Sequence, residues 1–436
     1  MKTLFIKGGR LIDPSSNYDE RADLLIRDGL VEAAEKNIKP PDGVEIIDAE
    51  DLVVMPGLID MHVHLRDPGQ EYKEDIFSGA RAAAAGGFTA VAAMANTDPV
   101  VDEPPTIRYV ADKAAGAAAR VYPIGALSKG MGGVELAELG RMQKAGAVAF
   151  SDDGKPVLNG TLMRNALQYA GGIKAMVIVH EEDPTLAGKG VMHEGSVSAV
   201  LGLRGIPVAA EEAMLARDLM LLKMVGGRLH IAHLSTAGAV ELVRRAKADG
   251  LPVTAEVTPH HLLLTDRAVK NTGYNTSTKV KPPLRSEQDR QALWEGLFDG
   301  TIDVIASDHA PHHSDDKDVE YDFAPFGIAG LETTLPLLLD EVASGRIKDL
   351  TLSLLADKMS AAPAKILGVK GGSLQPGCPA DITIVDPGRS IIVNPDAWYS
   401  KSRNTPFAGR QLMGAPVYTI LDGSIVMKEG VVADRE

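Results

Sequence analysis

The chain has 436 residues, a net charge of −14 at neutral pH, 45% hydrophobic residues and only 4% aromatics. This length exceeds one ordinary compact domain but suits a (β/α)8 barrel with a smaller domain attached. The acidic balance argues against a general nucleic-acid or anionic-membrane binder, either of which needs a basic surface, so an anionic small-molecule substrate must find a local basic pocket.

The opening stretch MKTLFIKGGRLIDP has too short an apolar run for a secretory signal, and no run of about 20 apolar residues suggests a membrane span. The single cysteine, Cys378, can form neither an internal disulfide nor, alone, a cysteine zinc site. The expectation is a soluble, cytoplasmic protein with no membrane and no nucleic-acid partner.

The next elements are strand-like. ADLLIRDGLVEAAE sets Asp28-Gly29 between apolar stretches, and VYTILDGSIVMKEG near the other end does the same with Asp422-Gly423. Asp-Gly between such runs is a hairpin signal. With EIIDAEDLVVMPG and ADITIVDPGRSIIV, both ends read as one small composite β-sandwich domain, residues 1–54 and 366–436, around a barrel of residues 55–365.

The middle alternates. Short apolar runs at DMHVHL, FTAVAAMAN, RVYPIGAL, AVAFSDD, AMVIVHEE, RLHIAHL, PVTAEVTPHH and DVIASDHAPH are mostly separated by stretches of helical period such as VELAELGRMQKAG. Such alternation predicts βα units and a parallel sheet, here a TIM-like α/β barrel. The Gly-rich run from Pro184 to Ala210 is too long for an ordinary βα loop and reads as an excursion over the barrel top.

Barrel chemistry sits at the C-terminal strand ends. In GLIDMHVHLRDPG, His62, His64 and Arg66 fall on alternate positions, the spacing of one strand face. Asn96, Asp153, His180, His233, His260, His261, Asp308 and His312 end later runs. A cluster of four imidazoles and two carboxylates suits borderline divalent cations, zinc first, with a carboxylate able to bridge two of them. Two such ions polarise a carbonyl and generate hydroxide near neutral pH, pointing to a hydrolase or cyclising enzyme for an amide-like bond. Other polar residues have plainer readings: Asp152 in a turn or cap, His230 packed on the opposite strand face, His193 and His313 solvated in loops, one of His260 and His261 supporting the site from behind, HSDDKDVEYD a solvated loop bordering the site, and Cys378 structural.

PGLIDMHVHLRDPG, AMANTDP, FSDDGKP, IAHLST, EVTPHHL, KPPLR, SDHAPH and PFGIAGLET together resemble the bacterial class I dihydroorotases of the amidohydrolase superfamily. HLRDPG is the distinguishing part, since allantoinases usually carry Asn-Glu in place of Arg66-Asp67. The resemblance implies reversible cyclisation of N-carbamoyl-L-aspartate to L-dihydroorotate in pyrimidine (UMP) synthesis. It implies two zinc ions per subunit, one being the alternative: His62, His64 and Asp308 on one, His180 and His233 on the other, with Asp153 bridging. Asp308 would be the general acid/base; His64, Arg66, Asn96, Lys281, His312, Phe326 and Gly327 would bind substrate. Relatives often bridge through a carbamylated lysine, which makes Lys155 a rival to Asp153, and often have Asn where this chain has Lys281. The resemblance also allows a homodimer and a complex with aspartate transcarbamoylase. The rival functions are another cyclic amidase, such as a dihydropyrimidinase or allantoinase, and an inactive scaffold for a transcarbamoylase; Arg66 with Asn96 opposes the first, and the intact His-x-His pair and Asp308 oppose the second.

Overall fold

The computed structural model describes residues 3–435. Eight parallel strands follow one another in chain order around a barrel: Leu58–Val63, Phe88–Ala93, Arg120–Gly125, Ala149–Ser151, Val177–Val179, Leu229–Ile231, Val253–Val257 and Val304–Ile305. These are the apolar runs seen in the sequence. A parallel barrel strand is buried on both faces, by its neighbours' side chains within and by helices without, so it reads as a nearly continuous hydrophobic segment. Closure is made just beyond the last strand: Val63 pairs with His309, and His64 N donates to His309 O at 2.8 Å.

The helices between strands begin with local signals. In the helix Ile76–Ala85, Asp75 accepts from Ser78 N while the Ser78 hydroxyl accepts from Asp75 N, a reciprocal cap. Its alanines let the helix lie close to the strands. Gly57, entering the first strand, lets the second strand come in just as closely: a β-carbon there would stand 2.2 Å from Thr89 Oγ1.

Both ends of the chain contribute to one nine-stranded sheet, in which the strand Ile382–Ile392 pairs with Val53–Pro56, and that strand in turn with Thr3–Asp13. Leu4, Ile6, Leu24, Ile26, Ile382, Ile384 and Ile420 form its own core. Both predicted Asp-Gly turns are present, with left-handed φ at Asp28, Gly29, Asp422 and Gly423, and the two turns touch one another. The strand Val53–Pro56 leads through Gly57 directly into the barrel, where Gly57 N donates to Asp381 O at 2.8 Å and Leu58 N to Thr383 Oγ1 at 3.2 Å. Arg120 adds an ion pair from the barrel to Asp381 at 2.7 Å. Among the described residues, no helix is long and apolar enough to cross a membrane.

The segment from Pro184 to Ala210 forms short helices and a small parallel pair, Met192–His193 with Gly205–Ile206. Val191 and Met192 pack with Val269 and Tyr321 from the later loops that rim the barrel.

Candidate metal centre

The first barrel strand ends at Val63, so His62 is its last inward ligand-type side chain and His64 follows just beyond. Arg66 departs from the expected strand face: its φ is +59°, a left-handed conformation, because the chain turns sharply after Leu65. His233 and Asp308 also have positive φ, 32° and 47°. Non-glycine residues are rarely held this way, and their gathering at one mouth is a mark of a functional site.

One carboxylate lies at the centre. Asp153 Oδ1 is 3.5 Å from His62 Nε2, 3.4 Å from His180 Nδ1 and 3.5 Å from His233 Nε2, while Oδ2 is 3.5 Å from His64 Nε2. Asp308 Oδ1 lies 3.2 Å from His64 Nε2 and 3.5 Å from His62 Nε2. Ligand atoms of His62, His64 and Asp153 form one possible cation group, and those of Asp153, His180 and His233 another. The short Asp153 arm thus reaches both groups. Lys155, its rival from the sequence, is exposed beyond the turn.

The donor set fits divalent metal. All six residues are buried, and lone pairs converging away from bulk solvent are costly unless a proton or cation lies among them. His62 Nε2 and Asp153 Oδ1 have no hydrogen-bond partner among the described residues. Burial opposes a charge on His62, but the Asp153, Glu256 and Asp308 carboxylates override it and push the imidazole well above its usual range. Conversely, burial would raise Asp153 and Asp308, but the surrounding imidazoles, His62 foremost, hold both carboxyls below the usual range. The carboxylates at the centre of the cluster therefore favour positive charge beside them.

The imidazoles are aimed from behind. His62 Nδ1 lies 2.6 Å from Glu256 Oε1, so a proton on Nδ1 leaves Nε2 to face the cluster. His64 Nδ1 lies 2.8 Å from Asn96 Oδ1, with the same effect. Glu256 also meets His230 Nε2 at 3.1 Å and accepts from His233 N at 3.2 Å. His62 and His230 hold the Glu256 carboxyl down at about 2 although burial works the other way. Sequence reasoning missed Glu256, and likewise Asp60, which accepts from His62 N at 3.0 Å and Ser307 N at 3.1 Å. The available signal was a carboxylate inside an otherwise apolar strand run, since a buried charge requires partners.

The expected substrate residues border this centre. Arg66 Nε donates to Pro311 O at 3.2 Å, which leaves the terminal nitrogens of its fork for a ligand. Burial lowers the guanidinium to about 10, so it stays charged at neutral pH. His312 Nε2 lies 2.8 Å from Phe326 O, while its buried Nδ1 has no partner among the described residues. Gly327 has φ +144°, and a β-carbon there would stand 2.6 Å from Ala310 O and 3.0 Å from His312 Nε2. Lys281 Nζ pairs with Glu182 at 2.8 Å and lies 5.3 Å from the centroid of the Phe326 ring.

Among the plainer readings, Asp152 does support a turn, accepting from Leu127 N at 2.8 Å and Ser128 N at 3.0 Å. His230 is packed, His313 is exposed, and Cys378 lies in a turn. His193 is not solvated: the excursion folds it inward against Arg285, 3.4 Å away. His261 is tied to Thr258 and Pro282 O, whereas His260 Nε2 is buried without a partner among the described residues. The loop HSDDKDVEYD is only partly solvated, because Lys317 and Tyr321 anchor it inside.

Residues 51–239 match the family model described as Dihydro-orotase-like. The chain is 54% identical to a protein named dihydroorotase from Pelotomaculum thermopropionicum, over 98% of this chain and 99% of that protein. It is 53% identical to a dihydroorotase from Geotalea daltonii, again over 98% and 99%. Among solved structures, L-hydantoinase (dihydropyrimidinase) from Arthrobacter aurescens matches with a TM-score of 0.89 at 28% identity, over 100% of this chain and 98% of that one.

Proposed function

The chain belongs to the dihydroorotase family of cyclic amide hydrolases, and from that premise we propose that it interconverts N-carbamoyl-L-aspartate and L-dihydroorotate through a binuclear zinc centre. The observation that carries this reading is the meeting of the buried His/Asp cluster with the Arg66 guanidinium at one barrel mouth, within electrostatic reach of Asp153 and Asp308.

His62, His64 and Asp308 would hold one ion, His180 and His233 the other, and Asp153 would be shared. When bound, such ions polarise the reacting carbonyl and bring the acidity of water near neutral pH. The remaining work falls to the protein. Asp308, kept ionised by the neighbouring imidazoles, accepts a proton from the attacking water as its oxygen adds to the ring carbonyl. It then delivers that proton to the ring nitrogen as the amide C–N bond breaks. Closure runs in reverse: the ureido nitrogen loses its proton to Asp308 and attacks the side-chain carboxyl, and water leaves.

The carboxylate that does not react needs fixed donors. The Arg66 fork can grip both its oxygens, a geometry an ammonium cannot copy. Asn96 has its carbonyl engaged by His64, so its amide N–H groups are the part left for substrate. His312, Phe326 and Gly327 form the facing wall, and Lys281 adds positive charge beside it.

In this reading the enzyme works in the cytoplasm as a step of pyrimidine synthesis. A homodimer and an assembly with aspartate transcarbamoylase belong to the same proposal, and sedimentation with and without that enzyme tests both. The activity itself is tested by following ring opening of L-dihydroorotate by the purified protein. Arg66→Lys should lower kcat/KM by about 10–100-fold, the worth of one or two charge-assisted hydrogen bonds. Faster opening of hydantoin or allantoin than of dihydroorotate would overturn the assignment.

A further inference from the structure

We propose that Asn404, carried by the chain's C-terminal part, is a positioning residue for the substrate-carboxylate wall, acting through His312 and Gly327; the proposal rests on the dihydroorotase reading above.

Asn404 lies between the sheet strands Ile382–Ile392 and Gln411–Leu421, yet it is buried against the barrel mouth. Its Oδ1 accepts from His312 N at 3.2 Å and from the Ser402 hydroxyl. Its Nδ2 donates to Gly327 O at 2.9 Å and to Ala310 O at 3.4 Å. An amide has two donors and, on its oxygen, two acceptor sites, so this one is fully used and can face only one way. Its backbone takes part as well, since Ala329 N donates to Asn404 O at 2.9 Å. One side chain therefore joins the segment holding Ala310 and His312 to the segment holding Gly327 and Ala329.

The joint has little slack. His312 Nε2 meets Phe326 O at 2.8 Å, and the space around Gly327 is too small for a β-carbon. Shifting either segment moves the imidazole and the Phe326–Gly327 backbone together. The strap itself is held from below: Glu74 accepts from the Ser400 hydroxyl and from Lys401 N at 3.2 Å, and Glu332 accepts from Ser400 N at 3.1 Å. Asn404 thus transmits a fixed frame to the wall without belonging to the metal cluster. Misplacement of a binding group by about 1 Å can cost as much as a hundredfold in rate or binding.

The test uses the full chain loaded with zinc, comparing wild type with Asn404→Ala and Asn404→Asp. Measured are zinc content, kcat and KM for L-dihydroorotate, and inhibition by acetohydroxamate, a metal-directed probe without a carboxylate. The proposal predicts that Asn404→Ala raises KM about tenfold or more, with kcat changed less than about threefold and zinc content and hydroxamate inhibition unchanged. Asn404→Asp keeps the acceptor for His312 N but donates to Gly327 O only when protonated. Its KM, relative to wild type, should therefore rise between about pH 4 and about pH 7 as the carboxyl ionises. An unchanged KM in Asn404→Ala, or a rise in KM accompanied by loss of zinc content and of hydroxamate inhibition, would overturn the proposal. If Asn404→Ala does not fold, a flat KM ratio for Asn404→Asp across that range overturns it instead. Failure of wild type to turn over dihydroorotate would mark failure of the underlying functional reading, a separate result.

Discussion

Glu256 Oε1 stands 2.6 Å from His62 Nδ1, across 194 residues of sequence, and so fixes which nitrogen of His62 faces the metal cluster. Removing the charge while keeping the shape should loosen the metal rather than the fold. Glu256→Gln is expected to weaken zinc binding about 10–100-fold, the usual cost of losing a partner behind a metal ligand. Competition against a chelator measures this, and activity should recover at saturating zinc. Unchanged zinc affinity would remove Glu256 from this role.

Lys281 tests how the site meets an anionic substrate. Its ammonium is held 2.8 Å from Glu182 and beside Phe326, and is only partly shielded from solvent. Lys281→Met removes the charge but keeps an unbranched side chain. KM for L-dihydroorotate should rise about three- to tenfold with little change in kcat, the pattern for a group that binds ground and transition states alike. The effect should shrink as salt is added, because partly exposed charges are screened. A kcat loss without a KM change would mean that Lys281 shapes the reacting end instead.

Lys317 gives the rim a pH dependence in stability. Its buried ammonium donates to Pro325 O at 2.7 Å and Thr276 O at 3.0 Å, joining two loops over the site. Burial, with nearby Lys279, lowers it from the ordinary 10.5 to about 7. The unfolded chain therefore binds more protons than the folded one between those values, and this group's contribution to stability must increase as pH rises through that window. Below about pH 7 both states carry the proton and the destabilisation is complete. Melting curves of wild type and Lys317→Met should show the difference moving in favour of wild type with rising pH. Parallel curves would contradict it.

The barrel strands were legible because burial on both faces leaves an unbroken apolar signature, and the paired terminal hairpins because Asp-Gly permits the left-handed turns found at Asp28-Gly29 and Asp422-Gly423. His62, His64, Asp153, His180, His233 and Asp308 were legible as polar residues at strand ends, and the structure brings all six together. Arg66 was assigned to the right mouth but the wrong backbone, since period two says nothing of where a strand stops. His193 was misread because its partner, Arg285, is supplied by a distant loop. Glu256 and Asn404 were not recognised for the same reason: each acts through contacts with groups far away in sequence, which only the closed fold creates.

The central claim is that ring opening of L-dihydroorotate depends on divalent metal shared through Asp153. The most direct measurement titrates zinc into chelator-treated protein while recording bound metal and ring opening together. The account predicts that activity rises with metal to two equivalents per chain, and that Asp153→Ala binds less zinc and stays inactive at saturation. Full activity in protein free of divalent metal would contradict it.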